Sequence, residues 1–185
     1  QILPTRDENS QENSGVILGW DYKDLKSSAK KGVYEVTLSN AVRPLFVSES
    51  SLQITLGAGN HKWLAINLTQ EDIEQKKDDE EREVPQLDFT ILLTDNLGQT
   101  AAIKVSDIKG IPKPLKTRFT KFKFLDKDMI GNDWEIQLQT YHFPLSVFAS
   151  QNPNFSMDQL KSLKFIFDQT DYGVVVVDEI GVSAF

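Results

Sequence analysis

From Gly15 onward the chain alternates apolar and polar positions with a period of two, the pattern of strands that bury one face. Tyr34, Val36 and Leu38 alternate with Glu35, Thr37 and Ser39. Leu52, Ile54 and Leu56 alternate with Gln53 and Thr55, and Leu64, Ile66 and Leu68 with Trp63, Ala65 and Asn67. Leu87, Phe89, Ile91 and Leu93 alternate with Asp88, Thr90, Leu92 and Thr94. Phe119 to Leu125, Trp134 to Val147, Leu163 to Phe167 and Gly173 to Val182 also read as strands. One wet face per strand suits antiparallel sheets.

Turn chemistry separates these runs. Asp95-Asn96-Leu97-Gly98 predicts a hairpin in which Gly98 supplies the positive φ. Gly57, Gly59 and Asn60 predict another break, and Pro112 and Pro114 make Lys109 to Leu115 a connection. Helical signals are few. Ser156-Met157-Asp158-Gln159 has the form of a capping box and predicts a short helix before the Leu163 strand. Glu71 to Glu83 carries eight acids and three bases, and reads as a solvated loop. About ten short strands without crossover helices predict an all-β fold, an antiparallel β-sandwich with one or two short helices. A parallel α/β fold would need helices that the chain does not offer.

Composition narrows the functions. The 185 residues are 39% hydrophobic and 25% charged, as expected of one folded domain. The polar, aperiodic segment 1–14 is expected to be a flexible tail or linker, with a single sandwich domain over 15–185. Because it starts at Gln1 rather than Met, the chain is expected to follow a removed segment. No apolar run is long enough for a membrane span. The net charge of -7 repels phosphate backbones, which argues against nucleic acid. With no cysteine and two histidines, thiol catalysis, thiolate metal sites and a three-histidine zinc site are excluded.

The C-terminal third carries a resemblance. Thr140-Tyr141-His142-Phe143-Pro144-Leu145-Ser146-Val147-Phe148 precedes Leu160-Lys161-Ser162-Leu163-Lys164-Phe165-Ile166-Phe167. The chain then runs Gly173-Val174-Val175-Val176-Val177-Asp178-Glu179-Ile180-Gly181-Val182. Over residues 134 to 183 this order resembles the closing strands of galactose-binding-like jelly rolls, the fold of many non-catalytic carbohydrate-binding modules. The resemblance implies a jelly roll that holds polysaccharide or glycan on a concave sheet face, beside a neighbouring catalytic domain. It also implies a secreted, periplasmic or cell-surface location, and a structural calcium ion with Asp178 as a ligand. Independently, a carboxylate after four valines is costly unless paired or metal-bound. Glu12, Asp21 and Asp24 are candidate partners by position.

Two strands place sugar-binding chemistry on a wet face. On one, Trp63, His61 and Asn67 oppose Leu64, Ile66 and Leu68. On the other, Glu135, Gln137, Gln139 and Tyr141 oppose Trp134, Ile136 and Leu138. Sugar rings stack their C–H faces on aromatics, and amides and carboxylates exchange hydrogen bonds with hydroxyls. His142, on an apolar phase between aromatics, reads as a structural histidine, and Trp20 and Trp134 as core. No catalytic residues are expected. A lyase would use Tyr141, His61, Gln139 and Lys123, and a structural or protein-interaction sandwich without a sugar site is the other alternative.

Overall fold

The computed structural model describes residues 2–4, 15–22, 26, 31–38, 50–59, 84–116 and 134–184. Within them eleven strands pair antiparallel throughout. The first four are β1 (Ile2–Pro4), β2 (Val16–Asp21), β3 (Gly32–Thr37) and β4 (Ser50–Ala58). Next come β5 (Thr90–Asp95), β6 (Thr100–Lys104), β7 (Leu115–Lys116) and β8 (Trp134–Glu135). The last three are β9 (Gln139–Pro144), β10 (Leu160–Phe167) and β11 (Tyr172–Ala184). One sheet has the order β1-β2-β11-β4-β9, a second β3-β10-β5-β6, and β7-β8 form a small ribbon. The fold is an all-β sandwich.

On β4 and β5 the inner faces are the predicted apolar phases. Leu18, Trp20, Leu52, Ile54, Leu56, Val175 and Val177 of the five-stranded sheet meet Ile91, Leu93, Leu163, Phe165 and Phe167 of the four-stranded sheet in one core. Trp20 stacks on Phe167 across the two layers with ring centroids 4.2 Å apart. Its indole N–H donates to the Thr170 carbonyl, so the ring is buried without stranding its polar end. Burying each such side chain contributes about 1.5–3 kcal/mol.

The Asp95–Gly98 hairpin is present, with Gly98 at φ 80°. Asp95 is buried, and its carboxylate accepts from the backbone N–H groups of Leu97, Gln99 and Ser156. The turn is thereby tied to the segment entering β10.

Several expectations are corrected. The helix is α1, Leu145–Gln151, placed where a strand was expected. Leu145 and Phe148, three residues apart, enter the core from it. The Ser156–Gln159 segment forms turns, with the Ser156 hydroxyl donating to Asp158 instead of capping a helix. Gly57 does not break a strand, since β4 continues to Ala58. Ile2–Pro4, inside the expected tail, pairs with β2. The strands expected at 64–68 and 119–125 and the acidic run at 71–83 lie outside the described residues.

Candidate functional site

The alternation that buries Leu52, Ile54 and Leu56 turns Gln53 and Thr55 to the outer face of the five-stranded sheet. On β9, Tyr141 and Phe143 point inward, so Thr140 and His142 point outward. On β11, Ile180 and Val182 pack against the core, which sends Glu179, Gly181 and Ser183 outward. Strand register aligns these into rows. Thr140, Thr55 and Glu179 form one row, and His142, Gln53 and Gly181 the next.

In each row the β4 and β9 side chains are bonded. The Thr55 and Thr140 hydroxyls lie 3.0 Å apart, and Gln53 Nε2 lies 3.3 Å from His142 Nδ1. In the second pair the amide donates when Nδ1 is the unprotonated ring nitrogen. A hydroxyl offers one donor and two acceptor sites, so the threonine pair retains capacity for a ligand. These bonds set side-chain orientation before any ligand arrives.

The open window is closed at both ends along the strands. At Gly57 a Cβ would sit 2.7 Å from the Gln137 carbonyl oxygen and 2.7 Å from Ile136 Cγ2. The chain between β8 and β9 therefore passes over the outer face of β4 at that glycine. At the other end Ser51 is buried, and its neighbour Ser183 has a buried hydroxyl. Between these limits the two rows span about 7 Å along the strands and about 10 Å across three of them.

The expected site residues fare differently. Trp63, His61 and Asn67 lie outside the described residues. Glu135 is exposed on β8. Gln137 Nε2 donates to the Lys113 carbonyl, and Gln139 Oε1 accepts from Lys109 Nζ at 2.7 Å. Both amides thus hold the connection that precedes β7. Tyr141 is a correction: it is 1% exposed and belongs to the core, where its hydroxyl donates to the Gly110 carbonyl. Burial raises its phenol above the ordinary tyrosine value. The phase differs from the expected one because 136–138 leave the strand, so the alternation of β8 does not carry through to β9. His142 is corrected in the opposite sense, from the apolar phase to the outer face.

Asp178 is exposed at a bulge between Val177 and Glu179. The extra residue is pushed out of the ladder, so the carboxylate avoids the burial cost that suggested a metal. Asp21 pairs with Tyr172, more than five strand steps from Asp178, or roughly 20 Å away. Among the described residues no three histidine, aspartate or glutamate side chains gather where a metal could be held. Glu12 and Asp24 lie outside the described residues. No helix of the described residues is long and apolar enough to cross a membrane.

The alternation of Leu52, Ile54 and Leu56 already pointed Gln53 and Thr55 outward. What the sequence could not supply was the register that sets them beside His142, Thr140, Glu179 and Gly181.

No protein-family model matches the chain, and no curated protein matches its sequence. Solved structures do match its fold. The family 30 carbohydrate-binding module of a cellulosomal cellulase of Clostridium thermocellum superposes with a TM-score of 0.59 at 11% identity, covering 99% of this chain and 82% of that one. A family 11 carbohydrate-binding module from Clostridium thermocellum, solved with a β-1,3-1,4-mixed-linked tetrasaccharide, gives 0.54 at 8% identity over 100% of this chain and 82% of that one. The chain therefore has the jelly-roll β-sandwich fold of carbohydrate-binding modules.

Proposed function

We propose that this chain is a non-catalytic module that binds a polysaccharide or glycan across the outer face of its five-stranded sheet. The observation that carries the reading is the pair of hydrogen-bonded rows, Thr140–Thr55 and His142–Gln53, on the window between Gly57 and Ser51. A glycan chain crosses the strands there, because the segment over Gly57 blocks a path along β4. The fold likeness to carbohydrate-binding modules supports the same class. Trp63, His61 and Asn67 are proposed as further contacts, with Glu135 at the rim.

Magnitudes set what the site must supply. Millimolar affinity needs about 4 kcal/mol. Hydrogen bonds from Gln53, Thr55, Thr140 and His142 contribute about 1 kcal/mol each at best, so they reach that threshold without margin. An indole face covering about 100 Å² of apolar surface adds roughly 2–3 kcal/mol, the role proposed for Trp63. The module serves a catalytic domain elsewhere in the same secreted or surface protein, by holding substrate near it.

Affinity electrophoresis in gels containing mixed-linkage β-glucan, xylan or mannan tests the reading. Retardation by one of these polymers, lost in Thr55→Ala/Thr140→Ala, is expected. Equal retardation of the wild type and that variant would place the site elsewhere.

A further inference from the structure

Two outward positions of β11 hold residues that the fold itself does not call for. Gly181 lies inside a strand, where glycine is unfavourable because it gains no packing and loses the most backbone freedom on folding. Nothing in the backbone requires it: the positive-φ glycine of the described residues is Gly98, not Gly181. Packing does not require it either, since a Cβ at Gly181 would have no neighbouring atom within 4 Å. Gly57, on the same face, is the contrast, for there a Cβ would collide with the chain above.

Ser183, the next outward residue, shows the same kind of misfit. Its Oγ is the buried side-chain oxygen among the described residues that lacks a hydrogen-bond partner. A buried hydroxyl without a partner destabilises a fold. Gly181 pairs with Gln53 and so lies in the second row, and Ser183 pairs with Ser51 at the end of the window. Positions where local choices oppose stability concentrate at functional sites.

We infer that Gly181 and Ser183 form a sugar subsite, with one ring edge lying over the bare backbone of Gly181. Rotation about χ1 brings the Ser183 hydroxyl to a sugar hydroxyl that serves as its missing partner. This deepens the proposed function and rests on it. It also yields an unusual signature, because residues kept for a ligand at the expense of the fold change stability and affinity in opposite directions when replaced.

The test compares the wild type with Ser183→Ala and Gly181→Ala by thermal denaturation and by calorimetric titration with an oligosaccharide of whichever neutral glucan, xylan or mannan the wild type retains. Both variants are expected to melt about 2 °C or more above the wild type. Ser183→Ala is expected to bind about fivefold more weakly, the loss of one hydrogen bond. Gly181→Ala is expected to weaken binding by crowding the ring. A wild type that binds while both variants match its affinity would overturn the subsite and leave the glycan reading standing. A lower melting temperature for Ser183→Ala would make the hydroxyl structural and overturn the subsite as well. A wild type that binds none of the polymers would remove both readings.

Discussion

Gln53 and His142 meet across the β4–β9 pairing, with the amide nitrogen 3.3 Å from His142 Nδ1 on the outer face of the five-stranded sheet. Neither side chain enters the core. The contact orients two polar groups on a half-buried surface, and little of the fold's stability depends on it. Gln53→Ala and His142→Ala are each expected to change unfolding free energy by less than about 1 kcal/mol. Each is also expected to weaken glycan binding, and the double variant to lose less than the sum because the pair acts as a unit. Urea denaturation and calorimetric titration of the three variants provide the check.

Tyr141 gives a pH prediction. Burial raises its folded-state pKa above the ordinary value, so the folded chain holds the phenolic proton more tightly than the unfolded chain. The resulting stability is fully present below the unfolded-state pKa of about 10 and is lost as pH rises through the folded-state value. Tyr141→Phe removes the bond to the Gly110 carbonyl and is expected to cost about 1 kcal/mol at neutral pH. Its melting temperature is expected to fall less steeply above pH ~10 than that of the wild type. Parallel alkaline melting curves for the two proteins would contradict this assignment.

Gly57 is the point where the 136–137 segment rests on the sheet. Gly57→Ala places a methyl 2.7 Å from a backbone carbonyl oxygen, which cannot turn aside as a flexible side chain could. Such overpacking is expected to cost about 1–3 kcal/mol, seen as a lower denaturation midpoint at unchanged slope. Since the same segment borders the window, glycan affinity is expected to fall with it.

Asp178 stands exposed on its bulge. Asp178→Asn is accordingly expected to alter stability by no more than about 0.5 kcal/mol, the range of ordinary surface changes. Melting curves with added calcium and with chelator, on both proteins, provide the check. A calcium-dependent rise in melting temperature that Asp178→Asn abolishes would make the carboxylate a ligand.

Much of this architecture was legible in the sequence, and the reasons are local. The inward set Leu52, Ile54 and Leu56 follows from a period of two, and the Asp95–Gly98 hairpin from turn chemistry. Both need only neighbouring residues. The misreadings came where a long-range contact overrode a local pattern. Gly57 looked like a break but lies within β4 because another segment crosses it. Tyr141 looked wet because the alternation of β8 was carried across a stretch, 136–138, that leaves the ladder. Ser156 looked like a helix cap, yet its backbone N–H is taken by Asp95, 61 residues earlier. The candidate window was hidden for the same reason: its residues come from three strands whose register no single run reveals.

The rows Thr140–Thr55 and His142–Gln53 are proposed to bind a glycan. Calorimetric titration of a soluble mixed-linkage β-glucan, xylan or mannan into the wild type and into Gln53→Ala/Thr55→Ala tests it most directly. Saturable binding of one polymer by the wild type is expected, with a loss of at least about tenfold in the variant, which removes two hydrogen bonds while leaving the melting temperature in place. Saturable binding of equal strength in both proteins would contradict it.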